Sequence, residues 1–172
     1  MELMMLAGIQ CELTAIHGIL VRGGVSLGPC YADDEFLFGP ALIQSYRLEE
    51  QVAVFPRIVI DTDLIAEALK RPNKVWPKVI HRGEEASYFI DYLYAAWQTP
   101  VGGFMRTGFN NADAMMSAHR FIIEDKLKHV QGDRPKQKLL WAALYHNSVL
   151  DRLAGEGNDI SPSIKIADDV LR

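Results

Sequence analysis

Three arginines, Arg22, Arg47 and Arg57, stand in or beside glycine- and proline-marked elements in the first third of a 172-residue chain. A guanidinium stays charged and donates two parallel hydrogen bonds from a planar fork, so it is the side chain best suited to clamp a phosphate. In phosphoryl transfer such a group stabilises the negative charge that builds on the phosphorus oxygens. Each arginine also has a plainer reading. Arg47 precedes Glu50 by three residues on a helical stretch, the spacing of an exposed ion pair worth about 0.3–0.5 kcal/mol. Arg22 and Arg57 read first as ion pairs at strand ends.

Other candidate groups carry less. The Gly23-Gly24 pair is neither a P-loop, since no Gly-Lys-Ser/Thr follows, nor a dinucleotide fingerprint, since the Gly-x-Gly-x-x-Gly spacing is missing. Asp33, Asp34 and Glu35 have the composition of a hard-cation loop and, more simply, of a polar hairpin tip. His119, His129 and His146 have no metal-ligand spacing among them, so each reads as a hydrogen-bonded structural residue. Trp76, Trp97 and Trp141 read as core or interface anchors. Cys11 and Cys30 are too few for a disulfide scaffold and suit reduced thiols in a cytoplasmic protein.

Composition sets the frame. An apolar share of 49% and a charged share of 23% are those of a globular protein with a real core. A net charge of −4 offers no general attraction to nucleic acid or anionic membranes. No apolar run approaches the roughly 20 residues of a membrane span, and the first residues have no basic leader.

The elements that must position the arginines follow from periodicity. Leu6, Ile9, Leu13 and Ile16 mark an amphipathic helix over 3–16, stopped by Gly18. Residues 19–28 read as a strand with Ile19, Val21, Val25 and Leu27 on one face. Gly39-Pro40 opens a helix to about Val54, and Arg57 to Ile60 is strand-prone. Asp61 or Thr62 caps a helix over 63–70, residues 72–87 are irregular, and 88–93 form a strand or a helical turn. After a glycine-bearing loop over 99–108, apolar stripes predict helices near 111–130 and 135–154. The Met115–Val130 stripe and a second one including Leu139, Leu144 and Leu150 should pack as an antiparallel pair against each other and the sheet, or across a dimer interface. The polar tail over 155–172 reads as loosely held. The expected class is α/β (α+β), divided as a core over 1–93, a helical extension over 94–154 and that tail.

Taken in order, Arg22-Gly23-Gly24, then Phe38-Gly39-Pro40-Ala41-Leu42 to Tyr46-Arg47-Leu48-Glu49, then Pro56-Arg57-Ile58, resemble the second half of a class III nucleotide cyclase domain. The combination is similar to bacterial stand-alone cyclase-like proteins, some of which are pyrimidine cyclases of antiphage defence. A weaker likeness continues through 88–93 and into Lys138 to Asn147, including Tyr145-His146-Asn147. The resemblance implies a partial ferredoxin-like core with two C-terminal helices and conversion of a nucleoside triphosphate to a 3′,5′-cyclic monophosphate and pyrophosphate. It casts Arg47 as the transition-state group, with Phe38, Gly39 and Arg22 as substrate-binding residues. The family's asparagine, four residues before that arginine, is replaced by Ile43.

The family also uses two Mg²⁺ or Mn²⁺ ions held by two aspartates that precede the first helix. No carboxylate here matches either position, so the metal ligands are expected to be absent and the chain inactive alone, as a fragment or a degenerate member. The alternative is a non-catalytic module that binds a nucleotide or a partner. The resemblance implies a homodimer, or a second chain supplying the strand that should lie beside residues 19–28, whose edge is otherwise unpaired.

Overall fold

The computed structural model describes residues 2–70, 79–83, 85–98 and 111–171. Trp76, the rest of the irregular 71–78 stretch and the loop expected over 99–108 lie outside them. The fold is mixed α/β, with helices and a four-stranded mixed sheet. The chain forms two compact units, residues 21–91 and residues 1–20 with 92–172. The first helix is therefore grouped with the C-terminal helices, and a division at 93/94 does not describe the compact units.

The strand unit is built on β1 (Gly23–Val25), a β2–β3 hairpin (Tyr31–Ala32 and Leu37–Phe38), α2 (Pro40–Gln51), β4 (Ile58–Ile60), α3 (Thr62–Lys70), β5 (Ile80–Arg82) and β6 (Tyr88–Ile90). The sheet order is β1-β4-β6-β5. β1 pairs in parallel with β4, Gly24 opposite Val59, and α2 makes the crossover. β6 runs antiparallel to both of its neighbours. Ile58, Val59 and Ile60 are all buried, which is why this β-branched run forms the interior strand.

The strand expected over 19–28 shrinks to three residues, with Ile19 and Leu27 left 51% and 56% exposed. At its start, Gly18 adopts φ +64, its N–H bonds to Thr14 O, and the Ile19 N–H bonds to Leu13 O. The Gly18 bond is that of a left-handed αL cap, and together the two bonds hold Ile19 to the preceding helix instead of the sheet. On the far edge of β1 no strand pairs among the described residues.

The helical unit contains α1 (Glu2–Ala15), α4 (Tyr92–Gln98), α5 (Ala112–His129) and α6 (Asp133–Gly155). Its packing corrects the expected face of α1. Leu3, Ala7, Cys11 and Ala15 are buried with Gln10 and Thr14, while Ile9 and Ile16 are 50% and 41% exposed. Small side chains on α1 and the buried Ala95 and Ala96 of α4 let the two backbones approach closely, and interaxial distance depends on the side chains at the contact. Burial pushes the Cys11 thiol up to about 12, so it stays protonated.

The expected α5 and α6 stripes do pack together, with Met115, Met116, Ile123, Leu139, Leu150 and Leu153 buried; Leu144 instead points outward at 57% exposure. Asn111 caps α5 by accepting the Ala114 N–H at 2.8 Å. Among the described residues no helix is long and apolar enough to cross a membrane.

Residues 155–171 correct the expectation of a loose tail. Ile164 and Ile166 are buried, and Asn147 clamps Ile166, donating to its carbonyl and accepting from its N–H, both at 2.9 Å. Composition misled because two isoleucines and one amide suffice to dock a polar segment. Asn147→Ala leaves both backbone groups of a buried residue without that partner, a loss of about 2 kcal/mol. Limited proteolysis should then cut within 156–171 while the rest of the chain stays protected.

Candidate functional site

The strand unit carries a groove of about 540 Å³ that includes Gly28, Pro29, Ile43, Arg47, Asp61 and Asp63. These residues follow β1, lie along α2 and follow β4, so the groove opens at the carboxyl ends of two parallel strands. Open α/β sheets place ligands there, because backbone and loop groups converge at that end.

Local chemistry fixes the groove's walls. Gly24 lies under α2 so closely that an added Cβ would stand 2.2 Å from Ser45 O and 2.7 Å from Leu48 Cβ. The second glycine of the pair is thus a helix-packing residue. Ser26 donates to Ala41 O at 2.6 Å and lies 2.9 Å from the Ser45 hydroxyl, pinning α2 over the end of β1. Gly39 has φ +147, and a Cβ there would stand 2.6 Å from Pro29 O, so only glycine lets the helix start against that turn. The Ala41 N–H closes the corner on Pro29 O at 3.3 Å.

Arg47 lines the groove, is exposed, and its side chain makes no hydrogen bond or ion pair among the described residues. The ion pair with Glu50 that its spacing allowed does not form. Ile43 lines the same wall one turn earlier at 54% exposure, so both positions of the expected pair face one space.

The other predicted substrate residues lie elsewhere. Phe38 is 59% exposed on the hairpin, its ring centroid 4.9 Å from that of Tyr31. Gly39 shapes the groove from behind, through the turn it permits. Arg22 pairs with Glu49, Nε to Oε1 at 2.6 Å, and does not line the groove. Arg57 is 3% exposed and donates to both Glu85 oxygens, at 3.2 and 2.7 Å. The ion-pair readings of Arg22 and Arg57 therefore describe them well.

Asp33 is committed to its own hairpin. It accepts from Tyr31 Oη at 2.7 Å and from the N–H groups of Glu35 and Phe36. The tyrosine hydroxyl first, and then those amides, hold its carboxyl below the usual aspartate value. The acidic turn is a self-satisfied tip.

Sequence reasoning missed Gly28, Pro29, Asp61 and Asp63 as groove residues. The readable signal was the parallel β-α-β order, whose two strand ends must open side by side. Asp61 is 8% exposed, and its Oδ1 lies 3.4 Å from the Asp63 N–H at the start of α3. Among the described residues no three metal-ligating side chains converge.

Compared with known proteins, the chain matches no family model, no curated protein and no solved structure.

Proposed function

We propose that this protein is a cyclase-homology module related to the class III nucleotide cyclases, which binds a nucleoside triphosphate through the Arg47 groove and does not cyclise it alone. The observation that carries the reading is Arg47 itself: an unpaired guanidinium on the wall of a groove at the carboxyl ends of β1 and β4. A phosphate placed there gains a charge-assisted, two-pronged contact without breaking an existing ion pair. Catalysis in class III cyclases needs metal ions to activate the ribose hydroxyl and neutralise the leaving pyrophosphate, and no carboxylate of this sequence matches the two positions that the resemblance assigns to their ligands. The full enzyme reaction belongs to a form completed by further sequence or by a partner chain. A cytoplasmic setting suits the substrate and the reduced thiols.

The test is a titration with fluorescent analogues of ATP, GTP, CTP and UTP, with Mn²⁺ and without it, followed by product analysis. Binding should weaken roughly tenfold or more in Arg47→Ala, the loss of a hydrogen bond to a charged group, and no cyclic product should appear. Turnover by the chain alone, or unchanged affinity in Arg47→Ala, overturns the reading.

A second reading, a partner-binding module, rests on another observation. Tyr31, Phe36, Phe38, Ile43 and Tyr46 are each more than half exposed within one short stretch. A concentration of apolar surface on that scale marks an association face. It suits a homodimer, and light scattering on the parent and on a Phe38→Asp/Tyr46→Asp variant separates dimer from monomer.

A further inference from the structure

Two histidines that lie far apart in sequence meet in the core of the helical unit. His119 on α5 and His146 on α6 are both fully buried, their rings stacked at 5.1 Å and 7°. Their Nδ1 atoms lie 3.2 Å apart. The outer nitrogens are also engaged: His119 Nε2 with Tyr92 Oη at 2.9 Å, and His146 Nε2 with Ile164 O at 3.0 Å.

Only one arrangement of protons satisfies this chain with both rings neutral. A carbonyl only accepts, so His146 carries its proton on Nε2 and its Nδ1 is an acceptor. His119 must then donate from Nδ1, which leaves its Nε2 to accept from the Tyr92 hydroxyl. The chain runs Tyr92 O–H to His119, His119 N–H to His146, His146 N–H to Ile164 O. An extra proton forces a donor to turn away. On His146 Nδ1 it would face the His119 N–H donor; on His119 Nε2 it would require the Tyr92 hydroxyl to swing from donor to acceptor.

We propose that the Tyr92–His119–His146 chain is an acid-operated latch, which holds the Pro162–Ile166 segment against α5 and α6 only while both imidazoles are neutral. The surroundings give an added charge no relief. From α4 the chain meets the Tyr92 hydroxyl; from α6, Tyr145, whose hydroxyl accepts the Leu93 N–H at 3.2 Å. From α5 it meets Arg120, whose positive charge opposes a second one on His146 and whose Nε faces Glu124 at 3.8 Å. Arg120 also donates to Ser163 O, and Lys165 is turned to Asp151. Among the described residues no carboxylate pairs with either ring.

Burial, and then His146, hold His119 well below the ordinary histidine value of 6.5. Burial chiefly lowers His146 to about 4, with Arg120 adding to the shift and the Ile164 carbonyl opposing it. The unfolded chain takes up protons near 6.5 and the folded chain does not. Stability is therefore complete above 6.5 and falls as pH drops from there toward about 4. Each proton bound only by the open form shifts the equilibrium tenfold per pH unit, and two shift it about a hundredfold.

Hydrogen exchange of the full-length chain between pH 7.5 and 5, corrected for intrinsic rates, tests this directly. Protection of residues 160–166 should be constant above 6.5 and then fall up to about a hundredfold per pH unit. Protection that stays flat down to pH 5 overturns the proposal. The double variant His119→Gln/His146→Gln preserves the outer donor and acceptor but cannot titrate. If it folds, its protection should not change over the same range, and a fall as steep as the parent's overturns the proposal. Should it not fold, histidine ¹⁵N chemical shifts of the parent decide. His119 must be the Nδ1–H tautomer, His146 the Nε2–H tautomer, and both must stay neutral at pH 6. The opposite tautomer at either ring, or titration of either near 6.5 in the folded protein, overturns it.

Discussion

Gly24→Ala should destabilise the strand unit by about 3 kcal/mol or more, the upper range for forcing atoms into a packed interface. Gly23→Ala should leave it within about 1 kcal/mol of the parent. Adjacent glycines of one strand thus predict opposite outcomes. The added Cβ at position 23 finds ordinary contact, 3.7 Å from Ile58 Cγ1. At position 24 it stands 2.2 Å from the backbone oxygen of Ser45, which cannot move without moving α2. Urea unfolding of the two variants measures the difference, and equal midpoints would remove the close α2–β1 approach as an explanation of the glycine pair. The consequence reaches the groove. Shifting α2 displaces Arg47 and Ile43 together, so any Gly24→Ala protein that still folds should also weaken the nucleotide binding proposed for the groove.

The second large effect is expected at Arg57. Its guanidinium is buried, held by Glu85, 3.5 Å from Val52 O, and 6.0 and 5.6 Å from the ring centres of Phe55 and Phe89. Arg57→Ala removes the packing and the hydrogen bonds together, a loss of about 3 kcal/mol. Arg57→Met keeps most of the volume and removes the buried charge along with its desolvation cost, so it should lose only about 1 kcal/mol. Denaturant midpoints for the pair distinguish packing from charge, and a Met variant as unstable as the Ala variant would show that the ion pair dominates.

The same contact sets a pH dependence distinct from that of the histidines. The Arg57 hydrogen bond chiefly holds the Glu85 carboxyl below its usual 4.5. Its contribution is therefore present above 4.5 and is lost as pH falls through the folded value. In Arg57→Met that acid step should vanish, while the histidine-linked decline, which begins at 6.5, should persist.

Much of the local structure was legible because its causes are local. Gly18 ends α1 since a left-handed residue is needed there. Pro40 opens α2, and Ile58 to Ile60 form an interior strand because a β-branched run has no polar face to present. Arg22 and Arg57 read as ion-paired strand-end residues, and they are. Tyr88 to Leu93 read as either a strand or a helical turn, and both occur, with β6 ending at Ile90 and α4 beginning at Tyr92.

What the chain's order could not decide was which surfaces face one another. On α1 the large aliphatic side chains have the stronger periodic signal, yet the small ones are buried. The choice depends on how closely α4 approaches, which is a property of two helices and not of one. Residues 155–171 dock because Asn147 and His146 reach Ile166 and Ile164, partners 19 and 18 residues away. His119 and His146 became a single proton-ordered chain only when α5 and α6 brought their Nδ1 atoms within hydrogen-bonding distance. Arg47 shows both sides of the division. Its charge, its place on a helix and its alignment with Ile43 were written in the sequence. That Glu50 leaves it unpaired and two parallel strands open a groove before it was decided by the tertiary structure, because pairing and concavity depend on distances between elements that local order does not set.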